Sequence, residues 1–148
     1  LLMDSVGLGK TVSALAAVAH PECLPAAVIV QAHLADQWAE DYVVPFTTLR
    51  CHVIKGTNPY KLPEADVYIF RYSNIRGWVD YVQRTPFPSV VFDEVQELRH
   101  GDEGTAKGRC AKIFAERARL RIGLSATPIY NYGDEIWNVM DFIAPDAL

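Results

Sequence analysis

Short apolar runs alternate along the chain with stretches whose apolar residues recur at helical spacing. AAVIV from Ala26, CHVI from Cys51, VYIF from Val67, SVVF from Ser89 and RIGLS from Arg121 have the length of strands. Their near-continuous apolar character is that of strands covered on both faces. Leu1, Leu2 and Met3 read as a further strand entering a loop. Between these runs, Val12, Leu15, Val18 and Ala19 predict one helix face, and Ile75, Trp78, Val79 and Val82 predict another at i, i+3, i+4 and i+7. Ala106, Cys110, Ile113 and Phe114 predict a third, and Ile136, Val139, Met140 and Ile143 a last one that Pro145 ends. KGTNPYKLPEA from Lys55, TPFPS from Thr85 and the glycine-rich stretch Gly101 to Gly108 carry turn residues and predict loops. The alternation predicts an α/β fold, a mostly parallel sheet with helices on both faces.

Composition narrows the class. A chain of 148 residues fits one domain, and with half its residues hydrophobic and 22% charged it reads as compact rather than disordered. No apolar run approaches the roughly 18 residues of a membrane span, and the N-terminus lacks a secretory pattern. The expectation is therefore a cytoplasmic, nucleoid or nuclear protein that is neither exported nor membrane-bound. Cys23, Cys51 and Cys110 are odd in number and widely spaced, which predicts reduced thiols rather than a disulfide or metal framework. The net charge of −4 argues against a general basic surface for nucleic acid and leaves room for a local groove. The opening at Leu1, already inside a strand, reads as a domain truncated at its N-terminus.

Three segments carry candidate chemistry. DSVGLGKT, Asp4 to Thr11, joins the first strand to the first helix, where a phosphate-binding loop belongs. Gly7 and Gly9 allow a tight turn with inward N–H groups, and the helix N-terminus adds partial positive charge. Lys10 would reach the β- and γ-phosphates and Thr11 would place its hydroxyl on Mg²⁺. The candidate nucleotide-binding set is Ser5, Val6, Gly7, Leu8, Gly9, Lys10 and Thr11. Asp4 stands where the usual pattern has glycine.

SVVFDEVQ, Ser89 to Gln96, is an apolar run ending in two adjacent carboxylates. At the C-terminal end of a parallel strand these face the ligand crevice, so Asp93 would hold Mg²⁺ and Glu94 would polarise the attacking water. GLSATPIYN, Gly123 to Asn131, puts Ser125 and Thr127 at the same edge, where their hydroxyls could sense the Asp93–Glu94 segment. Read without its neighbours, this last segment is simply a strand ending in a turn.

The ordered series DSVGLGKT, FDEVQ, LSATPIYN resembles motifs I, II and III of the superfamily-two helicases. AVIVQAHLADQW, Ala27 to Trp38, looks like their motif Ia, and DVYIFRYSNI, Asp66 to Ile75, is similar to a DNA-facing segment of Swi/Snf-type proteins. The tail TPIYNYGDEIWNVMDFI resembles the Swi/Snf pattern. The resemblance covers nearly the whole chain and implies a three-layer RecA-like P-loop NTPase lobe, residues 1–148. It implies ATP and Mg²⁺ as ligands, and catalytic roles for Lys10 and Glu94. Gln96, Ser125 and Thr127 would be coupling residues. The partners it implies are DNA, with RNA admitted, and a second RecA-like lobe of the same parent chain. His33, Arg71, Tyr72 and Ser73 are the candidate nucleic-acid contacts. The basic run Lys107, Arg109, Lys112, Arg117, Arg119 and Arg121 instead has the spacing of a solvated helix face.

The chain departs from the family at Ser5, where Glu is common, at Gln96, often His, and at Ser125-Ala126-Thr127, usually Thr-Gly-Thr in Swi/Snf proteins. The glutamine motif for adenine and the arginine fingers of a second lobe do not occur in it. The expected function is the ATP-binding lobe of a DNA helicase or translocase. The alternatives are a P-loop NTPase or kinase that does not act on nucleic acid, and a lobe that binds nucleotide without turnover.

Overall fold

The computed structural model describes residues 1–5, 7–127 and 133–145, and the backbone alone at Glu103. The strands are β1 (Leu2–Met3), β2 (Ala26–Val30), β3 (Cys51–Val53), β4 (Val67–Arg71), β5 (Ser89–Phe92) and β6 (Leu120–Ser125). Among the described residues they form one six-stranded sheet in the order β1-β6-β5-β2-β4-β3. Every pairing is parallel, as the apolar runs predict. Because all strands run the same way, Met3, Val30, Arg71, Phe92 and Ser125 end at one edge of the sheet. Everything that follows a strand emerges there.

The period-two alternation of the strands divides the core into two layers. Ala27, Ile29, Tyr68, Phe70, Val90 and Phe92 point to one face. They pack under the turn Ile75–Trp78 and the helices α4 (Val79–Arg84), α6 (Ala106–Arg117) and α7 (Gly133–Ile143). Phe70 is central there, with ring centroids 5.2 Å from Phe114 and 5.7 Å from both Trp78 and Phe87. A fully buried Phe contributes about 1.5–3 kcal/mol of transfer free energy, so this aromatic set fixes α6 and the turn that leads into α4 to the sheet. Ala26, Val28, Val30, Val67, Ile69 and Val91 point to the other face. They meet Ala14, Leu15 and Val18 of α1 (Lys10–Val18) and Ala35, Trp38 and Val43 of the segment after β2. That segment runs from α2 (Ala35–Gln37) through a π-helical stretch, Trp38–Val43, to α3 (Val44–Phe46).

Three sequence expectations change in the structure. Gly101 to Gly108 is mostly helical, with α5 (Gly101–Gly104) followed by α6. A Cβ on Gly108 would lie 2.0 Å from the Gly101 carbonyl oxygen, so glycine here serves a close helix–helix corner rather than a flexible loop. The buried face of α6 is Gly108, Ala111, Phe114 and Ala115, with Ala106 exposed, and that of α7 includes Phe142 with Val139 and Ile143. Both helices are rotated from the predicted stripes because each packs against neighbouring helices as well as the sheet. The cysteines are free and partly buried. Among the described residues no helix is long and apolar enough to cross a membrane.

Candidate nucleotide site and adjoining groove

The loop after β1 turns through two glycines in the left-handed region, Gly7 at φ 84° and Gly9 at φ 79°. A Cβ on either would meet nothing within 4 Å, so the requirement is conformational rather than steric. Gly9 caps α1, which begins at Lys10. Lys10 Nζ donates to the carbonyl of Asp4 and, at 2.9 Å, to that of Ser5, folding the ammonium back over its own loop. Leu8 is exposed. Val6 lies outside the described residues.

Across the sheet edge, the Asp93 N–H continues the β5–β2 ladder by donating to Ile29 O at 2.9 Å. The next residue breaks the strand, with Glu94 at φ 48° and ψ 55°. The Asp93 carboxylate is held from both sides: Oδ2 accepts the indole N–H of Trp38 at 2.7 Å, and Oδ1 accepts the Glu94 N–H at 3.0 Å. Burial pushes its carboxyl above the ordinary carboxylate range, and the Trp38 bond opposes that. The Glu94 carboxylate accepts the Gln96 side-chain amide.

A cavity of about 340 Å³ joins the two halves, lined by Gly7, Gly9, Lys10, Thr11, Asp93, Glu94 and Ala126 together with Leu34, Gln37, Trp38 and Tyr42. The Ser125 hydroxyl, buried, accepts the Thr127 N–H at 3.0 Å and so shapes the turn beside Ala126, while Thr127 is exposed. Pro128 to Asn131, the remainder of that segment, and Tyr132 after it are outside the described residues.

The same edge carries a second, open groove of about 520 Å³, lined by Gln31, Ala32, His33, Tyr72, Ser73, Ile75, Arg76, Glu97, Ala106 and Lys107. Among the candidate nucleic-acid contacts, His33 and Ser73 are exposed on it. Arg71 instead turns inward. Its guanidinium donates to Ile54 O at 3.0 Å and to Ala32 O at 3.3 Å and stands 3.8 Å from Asp36. Tyr72 is buried and its hydroxyl donates to Asp93 O at 2.9 Å. Burial first, and then the nearby Asp93, Glu97 and Glu94 carboxylates, raise this phenol well above its ordinary range, so it stays a donor.

Lys107 does not lie on a freely solvated face. Its ammonium is 2.6 Å from Glu97, which also accepts from Gln31 at 3.1 Å, and it sits 5.6 Å over the Tyr72 ring. Lys112 likewise pairs with Asp141. The participation of Trp38, Gln37, Tyr42, Glu97 and Lys107 is not predicted from the sequence. The one available signal is a tryptophan in a short polar helix, whose N–H needs a partner when buried.

The SNF2-related domain family matches this chain over residues 1–148. The chain belongs to that family. Among relatives of the SNF2-related domain, the chromatin-remodelling ATPase INO80 of Arabidopsis thaliana is 27% identical over 98% of this chain and 11% of its own length. An uncharacterised ATP-dependent helicase of Mycoplasma genitalium is 24% identical over 100% of this chain and 15% of the relative. The SWI2/SNF2 ATPase core of Sulfolobus solfataricus, solved in complex with double-stranded DNA, superposes with a TM-score of 0.78 at 26% identity. That superposition covers 98% of this chain and 31% of the Sulfolobus chain. The SNF2-related domain seen here thus spans less than a third of any of these relatives, and its sheet is the RecA-like one.

Proposed function

We propose that this SNF2-related domain is the ATP-binding lobe of a motor that couples ATP hydrolysis to movement on DNA. The observation that carries the reading is the single cavity shared by Gly7, Gly9, Lys10 and Thr11 on one side and Asp93 and Glu94 on the other. A glycine turn at a helix N-terminus, with one lysine, suits a polyphosphate. Two carboxylates facing it suit a divalent cation and an attacking water.

The donors fit Mg²⁺ carried in by phosphates. Among the described residues no three His, Cys, Asp or Glu side chains cluster as an all-protein metal cage. Mg²⁺ in nucleotide sites needs only one or two protein oxygens beside phosphate and water. Thr11 and Asp93 would hold it, and it would neutralise charge on the phosphates. In this reading Lys10 exchanges its two loop carbonyls for phosphate oxygens, and Ser5 to Gly9 supply backbone N–H groups. Glu94 accepts a proton from the attacking water while Gln96 orients it. Ser125 and Thr127 shape the neighbouring turn.

The groove gives the motor its nucleic-acid side. His33, Ser73, Arg76 and Lys107 would meet a phosphate backbone, with Arg71 and Tyr72 holding the groove's floor from within. DNA is preferred to RNA because the Sulfolobus core was solved on double-stranded DNA. A second RecA-like lobe of the parent chain would close over the nucleotide, and such a motor would work where its DNA lies, in nucleoid or nucleus.

Lys10→Ala tests the nucleotide site. It should lower Mg–ATP affinity by more than about tenfold, because charge-assisted bonds to phosphate are among the strong ones. Its two present partners are exposed backbone carbonyls that water can satisfy, so the fold should persist. Calorimetric titration with a circular dichroism control measures both. Unchanged affinity would remove Lys10 from the phosphate site.

A further inference from the structure

Among the described residues Asp93 meets two hydrogen-bond donors, and both are neutral. Glu94 N–H holds one carboxylate oxygen at 3.0 Å and the Trp38 indole N–H holds the other at 2.7 Å. A carboxylate offers about four lone-pair directions, so two remain for cation-bound water. A lysine or arginine in the place of Trp38 would orient Asp93 equally well but would cancel the charge a cation needs. An indole orients it and leaves the charge intact. Trp38 is itself immobilised: it is 1% exposed, packed in the core beneath α1, with its ring centroid 6.1 Å from that of Tyr42.

Trp38 also opens the π-helical stretch Trp38–Val43, and isolated π turns recur at functional sites. Leu34, Gln37, Trp38 and Tyr42 line the same cavity as Gly7, Gly9, Lys10 and Thr11. Ring packing alone would be met by phenylalanine. A buried indole N–H without a partner would be costly, so this side chain and Asp93 are matched.

We propose that Trp38 is the positioning residue for Asp93: its N–H fixes the carboxylate in the orientation that receives a phosphate-borne divalent cation. This rests on the nucleotide-site reading above. Loss of an outer partner of a metal-holding carboxylate typically costs about 10–100-fold in metal affinity.

The test is the enhancement of fluorescent ADP binding by Mg²⁺, titrated with and without the ion. Wild type, Trp38→Phe, Asp93→Asn and the double variant are compared. A further variant carries benzothienylalanine at position 38, which keeps the bicyclic shape and lacks the N–H. In both N–H-less variants the Mg²⁺ enhancement, taken as the ratio of each variant's own ADP affinities with and without the ion, should fall about tenfold below that of wild type. The double variant should be no worse than Asp93→Asn, because the two act as one unit.

Independently of nucleotide, Asp93→Asn should shift one of the three tryptophan indole N–H resonances, the one absent from Trp38→Phe. Full enhancement in the benzothienyl variant, or losses that add in the double variant, would overturn the proposal while the nucleotide site stands. No Mg²⁺ enhancement in wild type would overturn both.

Discussion

Glu94 occupies a backbone region that glycine takes freely and that glutamate adopts only when its surroundings hold it there. Three bonds do so. Its N–H donates to the Asp93 side chain, its carbonyl accepts the Glu97 N–H at 2.9 Å, and its carboxylate accepts from Gln96. The turn directs the carboxylate into the cavity instead of along the strand. In a chain that joins this lobe to the proposed second one, Glu94→Gln should therefore bind ATP as wild type does and lose at least about 100-fold in turnover, since an amide can still hydrogen-bond water but cannot take its proton. Equal turnover in a phosphate-release assay would overturn that role. Lys10, Thr11, Asp93 and Glu94 could be named as candidates from the sequence because their residue types are chemically distinctive and stand where a helix opens after a glycine loop, for Lys10 and Thr11, or directly after a strand, for Asp93 and Glu94. The Trp38–Asp93 bond could not, since it joins residues 55 apart and neither flanking pattern marks the other.

At the scale of elements, the strands were legible because burial on both faces leaves a continuous apolar run, as in the fully buried β2. The helices α1, α4, α6 and α7 were legible, whereas α5 fell in a stretch read as a loop, and the phase of α6 and α7 was not legible: Ala111 and Phe142, outside the predicted stripes, lie in the core, Phe142 against Phe92 of β5. The same limit hid the junction of the turn Val95–Leu98 with α6, where Glu97 meets Lys107 and both line the groove. The Lys107 ammonium, as hydrogen-bond partner ahead of the other causes, holds the Glu97 carboxyl below its ordinary range. A depressed folded value means the pair's contribution is fully present above the unfolded carboxyl value of about 4.3. It is lost as pH falls through the depressed folded value. Lys107→Met should accordingly be less stable than wild type near neutrality, and the gap should narrow as the carboxyl protonates. Denaturant titrations from neutrality down to about pH 3.5 would check this, and a gap independent of pH would show that the pair contributes through packing alone.

At the scale of the molecule, the sheet brings two candidate ligand surfaces to one edge, and the segment after β2 touches both: Ala32 and His33 line the groove, Gln37, Trp38 and Tyr42 the proposed nucleotide cavity. Tyr72 links them a second time, through its bond to the Asp93 carbonyl. In the proposed motor, catalysis needs more than the placement of these carboxylates. Among the described residues Lys10 is the cation lining the cavity, and no arginine lines it. Arginines supplied across such a cleft contribute about 10³–10⁵ in rate by stabilising charge on the transferred phosphoryl group. Closure of a facing lobe also excludes water and aligns the nucleophile. Residues 1–148 alone should therefore bind Mg–ATP weakly and turn it over at no more than a trace rate, with or without duplex DNA. Steady-state phosphate release by this chain, with Glu94→Gln as the control for contaminating ATPases, measures it. Turnover above about 1 per second that needs Glu94 and rises with DNA would mean that this lobe carries the whole engine, or rebuilds the cleft by self-association.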